Sequence, residues 1–79
     1  MKVRDKFFSV LRDATGIREA LVEVKDGALV SELLEQLYSR WPKLREERDT
    51  IVLVNGRPSS SQKLSEGDEV ALIPPVSGG

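Results

Sequence analysis

VSELLEQLYSRW, residues 30–41, places its apolar side chains at Val30, Leu33, Leu34, Leu37, Tyr38 and Trp41. Those positions follow i, i+3, i+4, i+7, i+8 and i+11, the stripe that an amphipathic α-helix presents along one side. Pro42 disfavours helical geometry at the residue before it, so the helix is expected to stop at Trp41 or one turn earlier. Its start is weakly marked. Leu29 stands where Ser, Thr or Asp would cap the first turn, which leaves Asp26 to serve at a distance. A stripe this wide has to be covered, and what covers it decides the fold.

On the N-terminal side, residues 3–11 mix β-formers with charges and DATG (residues 13–16) supplies a turn. In residues 17–24, Ala20, Val22 and Val24 then alternate with Glu19, Glu23 and Lys25, and the pattern predicts a β-hairpin. On the C-terminal side, KLREERD (residues 43–49) reads as a solvated crossing with Leu44 tucked beneath it. Residues 51–54 form a compact apolar strand, and Asn55-Gly56 after it is the strongest short hairpin signal. Leu64 anchors the following loop, Glu66-Gly67-Asp68 is a turn, and EVALIP (residues 69–74) is the last strand.

A helix inserted between two hairpins covers one face of the sheet that they jointly form. The expected class is α+β: a mixed sheet of about five strands packed under one main helix, with the last strand beside the first. The folded domain is expected over residues 1–73, with residues 74–79 as an extended tail. Its expected core is Val3, Phe8, Val10, Leu11, Val22, Val24, Val30, Leu33, Leu34, Leu37, Ile51, Leu53, Leu64, Val70 and Leu72. Phe7 and Phe8 point to opposite faces of a strand, and the helix covers only one face. With Phe8 assigned to the core, Phe7 is expected on the open face, where an apolar patch marks a docking surface.

Composition narrows the chemistry. A formal net charge of −1, from 12 basic and 13 acidic residues, gives no electrostatic reason for a nucleic-acid or anionic-membrane partner. There is no Cys and no His, so disulfides, thiol catalysis, the commonest zinc ligands and the usual general base are all missing. No metal site is expected, and the chain is not expected to be a catalyst by itself. Without an apolar leader or a run long enough to cross a bilayer, the expected location is cytoplasmic.

The sequence finishes in IPPVSGG, residues 73–79. Pro74 and Pro75 favour an extended course, whereas Gly78 and Gly79 have no Cβ and pass a narrow channel where a side chain would clash. Six extended residues span roughly 20 Å at about 3.3–3.6 Å each, enough to reach a closed active site from a folded body. On these residues alone the tail reads either as a frayed end or as an arm whose end is presented to other proteins.

FFSVLRDATG (residues 7–16) resembles the F-A-x-L-R-E-x-x-G opening of the small subunit of molybdopterin synthase, a sulfur-carrier branch of the ubiquitin-like β-grasp proteins. VNG at residues 54–56, EGDEVALIPPVSGG at residues 66–79 and the total length agree with it. The departures are Ser9 for a usual Ala, Asp13 for Glu, Leu29 for Thr and Ile73 for an aromatic residue. The resemblance implies that the Gly79 carboxylate is the reactive group. A ubiquitin-activating-enzyme-like adenylyltransferase using ATP adenylates it, and a sulfur donor protein supplies the atom that leaves a thiocarboxylate. The large catalytic subunit of molybdopterin synthase then uses that sulfur on a pterin precursor for molybdenum cofactor biosynthesis. Gly78 gives access to Gly79, the partner-binding residues are Phe7, Pro74, Pro75, Val76 and Ser77, and this chain binds no cofactor itself. The alternatives are a carrier for thiamine or cysteine synthesis and a ubiquitin-like modifier joined to lysines through Gly79.

Overall fold

A computed structural model describes residues 1–59 and 61–75. Strand β1 (Lys2–Phe7) is followed by a short helix α1 (Val10–Thr15) and strand β2 (Glu19–Glu23). Next come the main helix α2 (Val30–Arg40), a 3-10 turn (Pro42–Glu46), and strands β3 (Ile51–Val54), β4 (Arg57–Pro58) and β5 (Glu69–Ile73). One sheet holds all five strands in the order β2-β1-β5-β3-β4, with β1 and β5 parallel and the other neighbours antiparallel. This is the β-grasp arrangement expected from the sequence, with the last strand beside the first.

Helix α2 forms where the stripe required it. Val30, Leu33 and Leu37 are fully buried, while Leu34, Tyr38 and Trp41 pack around their edge. Its last turn closes with the Trp41 N–H donating to the Leu37 carbonyl at 2.8 Å, the residue before Pro42. The start is held by groups other than Asp26. The Val30 N–H donates to the Gln62 carbonyl at 3.1 Å, and the Glu32 carboxylate accepts the Leu29 N–H at 2.9 Å. A leucine side chain has no acceptor, so only this half of a capping box exists. A hydrogen bond from Lys25, reinforced by that from Leu29, holds the Glu32 carboxyl below its usual range. Asp26 instead lies 3.4 Å from the N-terminal ammonium.

The N-terminal hairpin needs correction. Strand β1 stops at Phe7, Ser9 turns the chain at φ 55 and ψ −129, and α1 replaces the far half of the expected first strand. The physical reason is Leu11. Helical winding carries this side chain to zero exposure beneath the structure, whereas Val10, expected in the core, is left 42% exposed. DATG therefore ends a helix. Gly16 adopts the left-handed conformation at φ 79 and donates its N–H to the Arg12 carbonyl at 2.7 Å, closing α1 before β2 pairs back onto β1.

The second hairpin has the expected two-residue turn, Asn55 at φ 51 and Gly56 at φ 83. Asn55 also ties the turn to the neighbouring strand. Its Nδ2 donates to Asp68 at 2.9 Å, and its Oδ1 accepts the Glu69 N–H at 3.0 Å. Leu44 is buried under the 3-10 turn, as expected. Ile51 and Leu53, expected in the core, are only partly buried. Val54, paired with the buried Val70, and Val52, paired with Leu72, face the helix, so their neighbours fall on the other side of the sheet.

Candidate functional site

Among the described residues the sheet has one face under α2 and one without cover. Along β1, Val3, Asp5 and Phe7 point inward, and Lys2, Arg4 and Lys6 outward. In the same register Leu21 of β2, Ala71 and Ile73 of β5, and Ile51 and Leu53 of β3 belong to the open face. Leu21 is 62% exposed, an unusual setting for a leucine in the middle of a strand. The Lys6 ammonium crosses this face to Glu69 at 3.0 Å, a half-exposed ion pair that contributes at most about 1 kcal/mol.

Phe8 sits at the exit of β1, next to the central strand β5. It is 44% exposed, and its N–H donates to the Leu72 carbonyl at 3.2 Å, beside the point where β5 ends at Ile73. Ile51 pairs with Ile73 on the other side. Phe8, Ile51 and Ile73 thus surround the base of the tail. Pro74 is half-buried there and Pro75 is exposed. Val76, Ser77, Gly78 and Gly79, the remaining tail residues singled out by the sequence, lie outside the described residues.

The two phenylalanines have the opposite placement to the one expected. Phe7 is 2% exposed and meets the Trp41 ring edge-on, with centroids 5.4 Å apart and planes at 69°. It belongs to the core and is not available for docking. Phe8 is the open ring. Around it, Lys6, Phe7, Arg12, Arg18 and Glu19 complete the lining of a surface hollow, and neither arginine makes an ion pair among the described residues. Chemically this region offers an apolar patch edged by the cationic Lys6, Arg12 and Arg18 and by the carboxylate of Glu19, a combination suited to holding a protein surface.

The ThiS family model matches residues 6–79. The chain belongs to the ThiS family. It is 36% identical over 83 residues to the molybdopterin synthase sulfur carrier subunit of Chlamydomonas reinhardtii, with all of both chains covered. The protein of that name from Mycobacterium tuberculosis is also 36% identical, covering 100% of this chain and 99% of the other. Among solved structures, SAMP1 of Haloferax volcanii superposes with a TM-score of 0.88 at 34% identity, with both chains fully covered.

For this ThiS-family chain the tail base was legible in the sequence, whereas Phe8 and Leu21 were not. A usable signal was present. Lys2, Arg4 and Lys6 alternate along β1, which puts Val3 and Phe7 on the covered side and Phe8 on the other. Asp5 obscured it, because a carboxylate in the inward phase reads as solvent-facing.

Proposed function

We propose that this ThiS-family chain is the sulfur carrier subunit of a molybdopterin synthase and works through the carboxylate of Gly79. The observation that carries the reading is the placement of β5. The strand that leads into Pro74-Pro75 lies in the middle of the sheet, and it leaves that sheet between exposed Phe8 and Ile51. A docked partner therefore receives the arm from a fixed point. The full-length similarity to sulfur carrier subunits supports the same reading.

In this mechanism an ATP-using adenylyltransferase converts the Gly79 carboxylate into an acyl adenylate and releases pyrophosphate. A persulfide on a donor protein attacks the acyl carbon and AMP leaves, and a thiol then cleaves the resulting acyl disulfide, leaving the thiocarboxylate on Gly79 and a disulfide on the donor. The chain then docks on the large catalytic subunit, which takes the sulfur onto a pterin precursor. The chain's own part is to bind, aim and present. Pro74 and Pro75 stiffen the root of the arm, Val76 and Ser77 extend it, and Gly78 lets it enter a narrow channel. Because glycines lose much backbone entropy on ordering, the open face of the sheet has to supply most of the affinity. The expected setting is the cytoplasm, with ATP bound by the activating partner rather than by this chain.

A second reading has its own support. Small archaeal modifier protein 1 of Haloferax volcanii is 37% identical over 84 residues, so Gly79 could instead be joined to lysine amines. The activation step is shared, and the acceptor separates the two readings. Intact mass spectrometry after incubation with ATP, an adenylating enzyme and a sulfur donor is expected to show one oxygen replaced by sulfur. Deleting Gly79 abolishes that gain. An unchanged mass beside an active control carrier would overturn the proposal, and lysine-linked conjugates with no sulfur delivered to a pterin would favour the modifier, whereas delivery to another small molecule would point to thiamine or cysteine synthesis.

A further inference from the structure

Asp5 is the one charged side chain buried among the described residues. Its side chain has zero exposure, and both carboxylate oxygens lack a hydrogen-bond partner among the described residues. It lies in the middle of β1, opposite Ala20 of β2 and Val70 of β5, with Val3 and Phe7 two residues away on the same face. All of these except the half-buried Ala20 are buried within the cluster that α2 closes through Val30, Leu33 and Leu37.

Among the described residues no compensating charge pairs with it. On β1 itself, Lys2, Arg4 and Lys6 point to the open side, where Lys6 is held by Glu69 of β5. Glu19 and Glu23 of β2 are exposed, and Arg18, whose carbonyl accepts the Phe7 N–H, is exposed at the hollow with Arg12. On α2, Glu32 is taken by Lys25, Glu35 by Arg45, and Arg40 lies over the Trp41 ring. At the start of β5, Asp68 is engaged by Asn55 and by the Ser65 N–H.

We propose that Asp5 is a proton-operated switch in the fold, whose neutral carboxyl lets β2, β1 and β5 close under α2 and whose ionisation loosens that closure. An unpaired carboxylate cannot stay ionised in apolar surroundings at tolerable cost, so the group keeps its proton instead. Burial accordingly pushes the Asp5 carboxyl up from 3.8 to about 7. The sign is the reverse of that for a salt-bridged aspartate. Below 3.8 both the folded and the unfolded chain hold the proton, and the group contributes nothing to pH dependence. Between 3.8 and about 7 the folded chain holds one proton more than the unfolded chain, so stability falls as pH rises and levels off above that window. The loosening is felt where the arm is mounted, because β1 is hydrogen-bonded to β5 and β5 runs into Pro74. This inference is independent of which acceptor receives the sulfur.

The test compares the intact chain with Asp5→Asn, which keeps the shape and removes the titration, and with Asp5→Leu, which removes the polarity too. Denaturant unfolding from pH 4 to pH 9 should give a ratio of wild-type to Asp5→Asn folding constants that drops about tenfold per pH unit up to about 7 and is flat beyond. If the Asn variant does not fold, Asp5→Leu is the reference. Carbon-detected NMR of the wild-type Asp5 carboxyl needs no variant at all, and should show a midpoint near 7 shared by the Ala20 and Val70 amide shifts. A carboxyl midpoint near 4, or a pH-independent ratio to the variants, would overturn the proposal.

Discussion

The two faces of the sheet each hold a residue that suits the other. The covered face buries Asp5 without a partner, and the open face leaves Leu21 and Phe8 in water. On the covered side the mismatch is compensated by the many contacts of the surrounding core. On the open side nothing among the described residues compensates it, which is why that face reads as a candidate docking surface. The same sheet thus separates two demands: one face sets stability, and the other, under the proposed function, serves association.

Phe7 and Phe8, adjacent in sequence, break or sharpen this contrast most directly. Phe7→Ala should lower the unfolding free energy by about 3–5 kcal/mol, because it empties a core site that also contacts Trp41. Equal losses for Phe8→Ala in denaturant titrations would collapse the distinction between the faces. Asp5→Leu should act in the opposite direction, with a gain in stability about 4 kcal/mol larger at pH 8 than at pH 4, where the wild-type group is neutral in the folded chain. Phe8→Ala should weaken binding to the activating enzyme or to the large synthase subunit by about 2 kcal/mol in calorimetry while leaving the melting curve nearly unchanged. Ser9→Gly, which removes strain at φ 55, should stabilise by about 1 kcal/mol. Lys6→Ala is expected at the bottom of the scale, under about 1 kcal/mol in stability, since its ion pair with Glu69 is half in solvent.

What the sequence disclosed follows from how local each signal is. Helix α2 and the Asn55-Gly56 turn are written in spacing and backbone chemistry within a few residues, and both stand where expected. Helix α1 was hidden because its six residues are too few for a helical period to emerge and Ser9 gives no glycine-like warning of the turn it makes. The inward phase of β3 was illegible for another reason. All four of its residues are apolar, so alternation has no contrast, and only pairing with β5 decides that Val52 and Val54 face the helix. The tail was readable as a motif, and its base at Pro74 emerges beside Phe8, a neighbour that only tertiary structure could supply.

The parallel pairing of β1 with β5 also governs timing. These two strands form the middle of the sheet yet lie far apart in the chain, so closure is a long-range event of the kind that slows folding. As the chain leaves the ribosome, β1 waits with one edge unpaired until Glu69–Ile73 follow it out. A fragment broken off before β5 keeps that raw edge and is exposed to proteases. The surface that a partner would grip, shared by β1, β5 and β3, therefore exists only on molecules that have already received the strand on which the arm is mounted.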